Sequence, residues 1–328
     1  MKRETEYAYA VARVRANENS LLTQADIDQM IAAPDFGSVM RHLADCGWGE
    51  FSGGTDYTEY LEKRADATWQ LLSELLSDIH ELDMLIIRND MQNLKAALKS
   101  IIAKNKGEWP DEELFVVPTV YDTDLIRDAV AKREFTSLPQ CMQIPAKEAY
   151  DILVSTGNGQ MADAVLDKAT LGIMLDLAYA EKSDTVIAIA ERICATSDIK
   201  IAYRACKTGK DKAFLQRSLC GCKTINASKL CDCALEGTDA LGSYIAGTMY
   251  SGAKDAMEES TSAFEKWCDD IIMECVRQAK FKAFGIDPIV AYFVARDTAI
   301  KSVRIILSAK LNSQPADIIR ERMRMLYV

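Results

Sequence analysis

Apolar side chains recur at three- and four-residue steps along almost the whole chain, the spacing that gathers one face of an α-helix. The clearest stretch is 284–328. There Ile289, Phe293, Ala299, Ile300, Val303, Ile306 and Leu307 draw one stripe along about six helical turns. Asp287 is placed to cap this helix, and Pro288 suits its first turn, where a missing N–H costs nothing. Asn312-Ser313-Gln314-Pro315 stops it, and a closing basic helix is predicted beyond. Ile319, Met323 and Leu326 share one face of that helix, while Arg320, Arg322 and Arg324 lie mostly off it.

The same grammar is repeated. Long amphipathic helices are predicted over 57–85, 161–180 and 255–283, each followed by a marker segment beginning at Asp90, Asp198 or Ala299. Ahead of each long helix lies a short-helix region opening with polar capping residues, over 23–40, 122–153 and 226–249. Three copies in register, about 100 residues apart, imply triplication, with repeats over 1–111, 112–214 and 215–328. Three equivalent units can cover one another's apolar faces by closing a ring, which predicts three helical wedges around a pseudo-threefold axis. An open superhelical array is the alternative. The best β-like run, Leu114-Phe115-Val116-Val117, is short and bounded by prolines, so the fold class is all-α.

Composition narrows the function. With 39 Lys and Arg against 49 Asp and Glu, the formal net charge of −10 argues against a nucleic-acid binder, which needs a basic footprint. No apolar run approaches the roughly 18 residues of a membrane-spanning helix. Met1-Lys2-Arg3-Glu4 opens a charged helix rather than the apolar core of a signal peptide, so a soluble protein made in the cytosol is expected. The ten Cys then read as reduced thiols packed as small hydrophobes.

Several motifs invite chemistry. Cys220-Gly221-Cys222 and Cys231-Asp232-Cys233 could offer four thiolates to zinc, but pairs spaced by one residue are poor for a tetrahedral site and point to different sides of a helix. Gly157-Asn158-Gly159-Gln160-Met161-Ala162 fits a dinucleotide fingerprint formally, yet helix rather than strand is predicted ahead of it, so it reads as a stop between helices. Thr208-Gly209-Lys210 lacks the remainder of a phosphate-binding loop. The chain holds two His; a histidine-based site must recruit His42 or His80, and His80 reads as structural within a long helix. Arg296 falls inside the apolar stripe, where it needs a carboxylate or carbonyls, and an internal salt bridge is expected. Trp48, Trp69, Trp109 and Trp267 read as core or loop anchors. No constellation supplies a nucleophile, a base and an oxyanion donor together, so catalytic, cofactor and metal residues are expected to be none, favouring a binding or mechanical role.

The segment FGIDPIVAYFVARDTAIKSVRIILSAKLNSQPADIIRERMRMLYV resembles the C-terminal end of the C subunit of A/V-type rotary ATPases, the family that includes the d subunit of the eukaryotic V-ATPase. The opening Tyr7-Ala8-Tyr9-Ala10-Val11-Ala12-Arg13-Val14-Arg15-Ala16, with Glu18 and Leu21-Leu22, is similar to that family's first helix. Ser302, Thr298 and Ser308-Ala309 depart from its usual Asn, acidic residue and Gly. The resemblance implies a funnel of three V-shaped helical units, without catalysis or cofactor. It implies a rotor socket between D/F-type central-stalk subunits and the membrane proteolipid ring, peripheral on the cytoplasmic face of the membrane and binding neither nucleic acid nor nucleotide directly. Candidate partner contacts are Arg320, Arg322 and Arg324 of the closing helix, Arg296 and Arg304 on the long one, and Trp48 at a loop tip. The rival reading is a helical-repeat scaffold for an unrelated protein.

Overall fold

The computed structural model of the chain describes residues 7–52, 54, 56–104 and 115–328. Met1–Glu4, Trp109, Leu114 and the repeat boundary at 111/112 lie outside them. α1 (Ala8–Glu18) leads to the short α2 (Gln24–Ala32) and α3 (Phe36–Leu43), then to the long α4 (Thr58–Leu75) and α5 (Asp83–Lys104). Next come α6 (Thr123–Lys132) and α7 (Gln140–Thr156), followed by the long α8 (Gly159–Glu181) and α9 (Asp184–Thr208). After α10 (Lys212–Ser218) the series runs through the short α11 (Ala227–Glu236) and α12 (Thr238–Ala246). It ends with α13 (Gly252–Glu259), α14 (Thr261–Arg277), α15 (Asp287–Leu311) and α16 (Ala316–Glu321). Among the described residues the fold is all-helical, and its β pairing amounts to one isolated bridge, Cys222 to Ile225.

Helix starts follow local chemistry. Thr23, Asp35, Asp122, Asn158, Asp211, Asn226 and Ser260 each accept a hydrogen bond from a first-turn backbone N–H. Each such cap is worth about 1 kcal/mol. Two predicted long helices are broken for reasons of this kind. The 57–85 helix stops at Leu75, because Leu76 turns extended, and His80 lies in a short 3-10 turn, half-exposed and 3.0 Å from Asp83. The 255–283 helix is interrupted at Ser260, which caps α14 through the Ala263 N–H at 2.9 Å. Asp287 does not cap α15: Ile286 holds the N-cap position, and the Asp287 carboxylate instead accepts from the Ser183 hydroxyl at 2.7 Å.

The chain divides into two compact units. The first takes its described residues from Met1–Ile79, Ser183–Ile189 and Gly252–Val328. Its core joins Ile27, Met30 and Ile31 of α2, Val39 and Leu43 of α3, Val303, Ile306 and Leu307 of α15, and Ile319 with Leu326 beyond it. α15 exceeds the predicted single stripe, since Ile289, Val290, Ala291 and Tyr292 are buried at consecutive positions. Cationic side chains tie this unit's loops together. Arg15 donates to the carbonyls of Ala279 (2.7 Å), Lys280 (3.2 Å) and Lys282 (2.9 Å), and Lys310 to those of Ile31 (2.7 Å) and Ala33 (2.6 Å). These carbonyls lie in or just after the last turn of a helix, where acceptors run short of intrahelical partners.

The second unit takes His80–Lys182 and Ala190–Ser251, with α8 packed against α5, α7 and α10. Carboxylates tie it together. Asp90 of α5, fully buried, accepts from the N–H groups of Val120 and Tyr121, both at 2.9 Å. Asp198 of α9, equally buried, accepts from those of Cys220 (3.0 Å) and Gly221 (2.7 Å). Two turns earlier, Glu191 accepts from the N–H groups of Lys223 (3.2 Å) and Thr224 (3.1 Å), the Thr224 hydroxyl (2.7 Å) and the Tyr179 hydroxyl. The donors decide the titration of the two α9 groups. Burial pushes Asp198 up from 3.8 to about 6 against only two N–H donors, whereas in Glu191, which is less deeply enclosed, burial is overcome by Tyr179 and Thr224 and the carboxyl sits below its ordinary value. The β-like run takes no part in a sheet: Phe115–Val117 is irregular, and Val116 is held by the Asn93 amide through two bonds of 2.9 and 2.8 Å.

Candidate partner interface

Ser313 adopts a left-handed turn (φ 50°) that ends α15, and Pro315 restarts the chain into α16. That helix is shorter than predicted. After Glu321 the chain runs on without helix, because Met323, Leu326 and Tyr327 are each buried in the first unit. The tail is pinned along its length. Arg277 donates to the Leu326 carbonyl at 2.8 Å, Asp270 accepts from the Met325 N–H at 2.6 Å, and the Tyr327 hydroxyl reaches Glu18 at 3.1 Å.

This geometry separates the three arginines. Arg324 pairs with Asp269 at 2.6 Å and also donates to the Arg322 carbonyl at 2.6 Å, so it belongs to the fastening of the tail. Arg320 and Arg322 are exposed and form no ion pair among the described residues. Arg320 stands on a cleft of ≈ 330 Å³ shared with Asp28, Lys266 and Asp270, so the local field is mixed rather than basic. On α15, Arg304 is exposed and likewise without an ion pair among the described residues, while its neighbour Lys301 is paired with Asp297 at 2.7 Å.

Arg296 and Trp48 form a different arrangement from the expected one. Trp48 is enclosed, 2% exposed, rather than presented at a loop tip. The Arg296 guanidinium lies over its ring, 5.3 Å from the centroid, with Nε 3.4 Å from the Thr68 hydroxyl, and no carboxylate joins them among the described residues. The expected salt bridge is thus replaced by a cation–π contact, which desolvates the guanidinium without an anion and lowers its pKa through burial. Trp69 and Phe293, from the same two helices as Thr68 and Arg296, form a tilted aromatic pair with centroids 4.4 Å apart.

The surface also carries apolar groups that periodicity assigns to no site. Phe281 is 84% and Phe284 53% exposed in the turn before α15. An aromatic near a helix end reads as core by pattern alone, so their exposure is visible only in three dimensions. The remaining motifs lie in turns between helices and on α11. Gly157 ends α7 in a left-handed turn (φ 67°), with helix before it as predicted, and Asn158 caps α8 through Met161 N–H at 3.0 Å. Lys210 donates to Gln160 at 2.8 Å. All ten Cys are free. Cys220 and Cys222 lie in the bridged turn beside Cys194, and Cys231 and Cys233 on α11.

Known proteins share this chain's pattern from end to end. The family model described as ATP synthase (C/AC39) subunit matches residues 10–322. The chain is 20% identical over 325 residues to the C subunit of the V-type sodium ATPase of Enterococcus hirae, covering 96% of this chain and 97% of that protein. It is 22% identical over 315 residues to the C subunit of the V-type ATP synthase of Thermus thermophilus, covering 92% and 93%. Identity to the C subunit of the A-type ATP synthase of Methanocaldococcus jannaschii is 22% over 354 aligned positions, covering 95% and 85%.

Proposed function

The chain belongs to the family of ATP synthase (C/AC39) subunits, and from that premise we propose that it is the non-catalytic central-rotor subunit of a V/A-type ATPase or ATP synthase. In this reading it is a socket that links central-stalk subunits of the D/F type to the membrane proteolipid ring, passing torque between ATP turnover and ion transport. It sits peripherally on the cytoplasmic face through the complex. The observation that carries the reading is end-to-end agreement: relatives named as the C subunit of such complexes align over 92–96% of this chain, too much to reflect a shared module.

Stiffness supports the same role. A part that transmits torque must be stiff, and helices packed along their length deform little. Three wedges from 1–111, 112–214 and 215–328, closed about a pseudo-threefold axis, would supply that stiffness. Support comes from the recurring order of short then long helices and from the equivalent service of Asp90 and Asp198, each holding two backbone N–H groups upstream of a capped helix. Partner contacts fall to the exposed arginines Arg304, Arg320 and Arg322, with interfaces burying more than about 1,000 Å² in total.

Affinity capture from native membranes, with mass-spectrometric identification, tests the assignment. The expected co-purifying proteins are central-stalk and proteolipid subunits; recovery of an unrelated partner instead establishes the scaffold reading. Charge reversal at Arg304, Arg320 and Arg322 together is expected to uncouple ion transport from ATP turnover while the isolated chain keeps its fold. Full coupling in that variant removes these arginines from the interface without touching the family-level role.

A further inference from the structure

α2, α3 and the turn that continues α3 bring together three side chains, of which sequence spacing connects only two. His42 and Cys46 are four residues apart, and Asp26 comes from the preceding helix. The Asp26 Oδ1 lies 3.5 Å from the Cys46 Sγ and 3.4 Å from the His42 Nε2, and that nitrogen is 3.5 Å from the sulfur. Tetrahedral zinc, with usual bonds of about 2.3 Å to sulfur and about 2.0–2.1 Å to nitrogen and oxygen, requires separations of about 3.5 Å from sulfur to either partner and about 3.3 Å between the other two. The observed triangle matches all three edges. From this geometry we infer that Asp26, His42 and Cys46 form a binding site for a divalent transition metal of the zinc class, with water in the fourth position.

The surrounding backbone supports the site. Ala44–Trp48 continues α3 as one wide turn in which Gly47 takes φ 80° and breaks the helical path, which sets Cys46 on the turn beside His42. Asp26 is oriented from behind: its Oδ2 accepts from the Thr23 N–H at 2.8 Å and the Thr23 hydroxyl at 2.7 Å, which leaves Oδ1 to face the triangle. The three side chains are partly enclosed, with His42 and Asp26 20% and 24% exposed. Thiolate, carboxylate and neutral imidazole balance a dication, and sulfur with nitrogen selects zinc-like ions over magnesium or calcium.

The opposing account is a metal-free set of weak hydrogen bonds in which the thiol donates to Asp26. Cobalt titration of the full-length, EDTA-treated, reduced chain distinguishes the two. One equivalent is expected to produce the visible bands of four-coordinate cobalt and a thiolate-to-cobalt charge-transfer band, both bleached by zinc. Cys46→Ser should abolish the charge-transfer band, His42→Ala should weaken binding about tenfold or more, and Cys231→Ser/Cys233→Ser and Cys220→Ser/Cys222→Ser should change neither. X-ray absorption on the zinc-loaded wild type, independent of whether any variant folds, should count one sulfur with nitrogen and oxygen neighbours. No chromophore with cobalt in excess, a band that survives Cys46→Ser in a folded protein, or two or more sulfurs per zinc each overturn the site.

Discussion

The two units fasten their loops with groups of opposite charge. In the first, Arg15, Arg277 and Lys310 grip backbone carbonyls near helix ends or in the C-terminal tail; in the second, Asp90, Asp198 and Glu191 grip backbone N–H groups ahead of helices. Each choice answers the polarity of what is left unpaired, donors before a helix begins and acceptors after it ends. Each unit also has a staple of the other kind, Asp270 on the Met325 N–H in the first and Lys168 on the Gln216 carbonyl in the second. The difference teaches that the carboxylate staples titrate according to their burial and to how many donors they collect, upward for Asp198 and downward for Glu191.

Removing a carboxylate staple should cost most. Asp198→Ala leaves the N–H groups of Cys220 and Gly221 without their acceptor in a closed site, a loss of about 3 kcal/mol in urea unfolding at pH 7. A loss under about 1 kcal/mol would show that the loop is held by something else. Next comes the pH dependence. Because the folded chain raises the Asp198 carboxyl from 3.8 to about 6, it binds this proton more tightly than the unfolded chain. The group's contribution therefore grows as pH falls through that window and is flat above it. The stability gap between wild type and Asp198→Asn should widen by about 2 kcal/mol from pH 7 to pH 4. A gap that narrows on acidification breaks the contrast with Glu191, whose pKa is shifted the other way.

The cationic staples should come third. Lys310→Met leaves the carbonyls of Ile31 and Ala33 to water at a half-exposed site, so thermal unfolding should report about 1–2 kcal/mol, unchanged between pH 5 and 8. Smallest is the surface: Lys132→Ala breaks an exposed, solvent-screened pair with Asp128, and thermal unfolding should move less than in Lys310→Met. A cost equal to that of Lys310→Met would mean that exposure, rather than the identity of the acceptor, fails to grade these contacts.

Periodicity and composition carried the helical class, the course of α15 to Leu311 and the helix ahead of Gly157, because each depends on neighbours within a few residues. Helix breaks were harder. The stop at Leu76 and the cap at Ser260 interrupt amphipathic patterns that continue across them. The interface candidates diverged most: Trp48 is core, Arg324 is spent on Asp269, and Arg296 rests on an indole rather than a carboxylate.

What the sequence alone determined is the set of statements that local spacing and order along the chain can encode: helix upon helix, polar caps at their starts, and the family likeness of both ends. Only tertiary structure decided which charges are partnered, since Arg15 meets carbonyls about 265 residues away and Asp26 meets Cys46 across a helix pair. Partnership is a property of position in space, and a charged side chain reads identically in sequence whether it is spent inside the fold or left free for another protein.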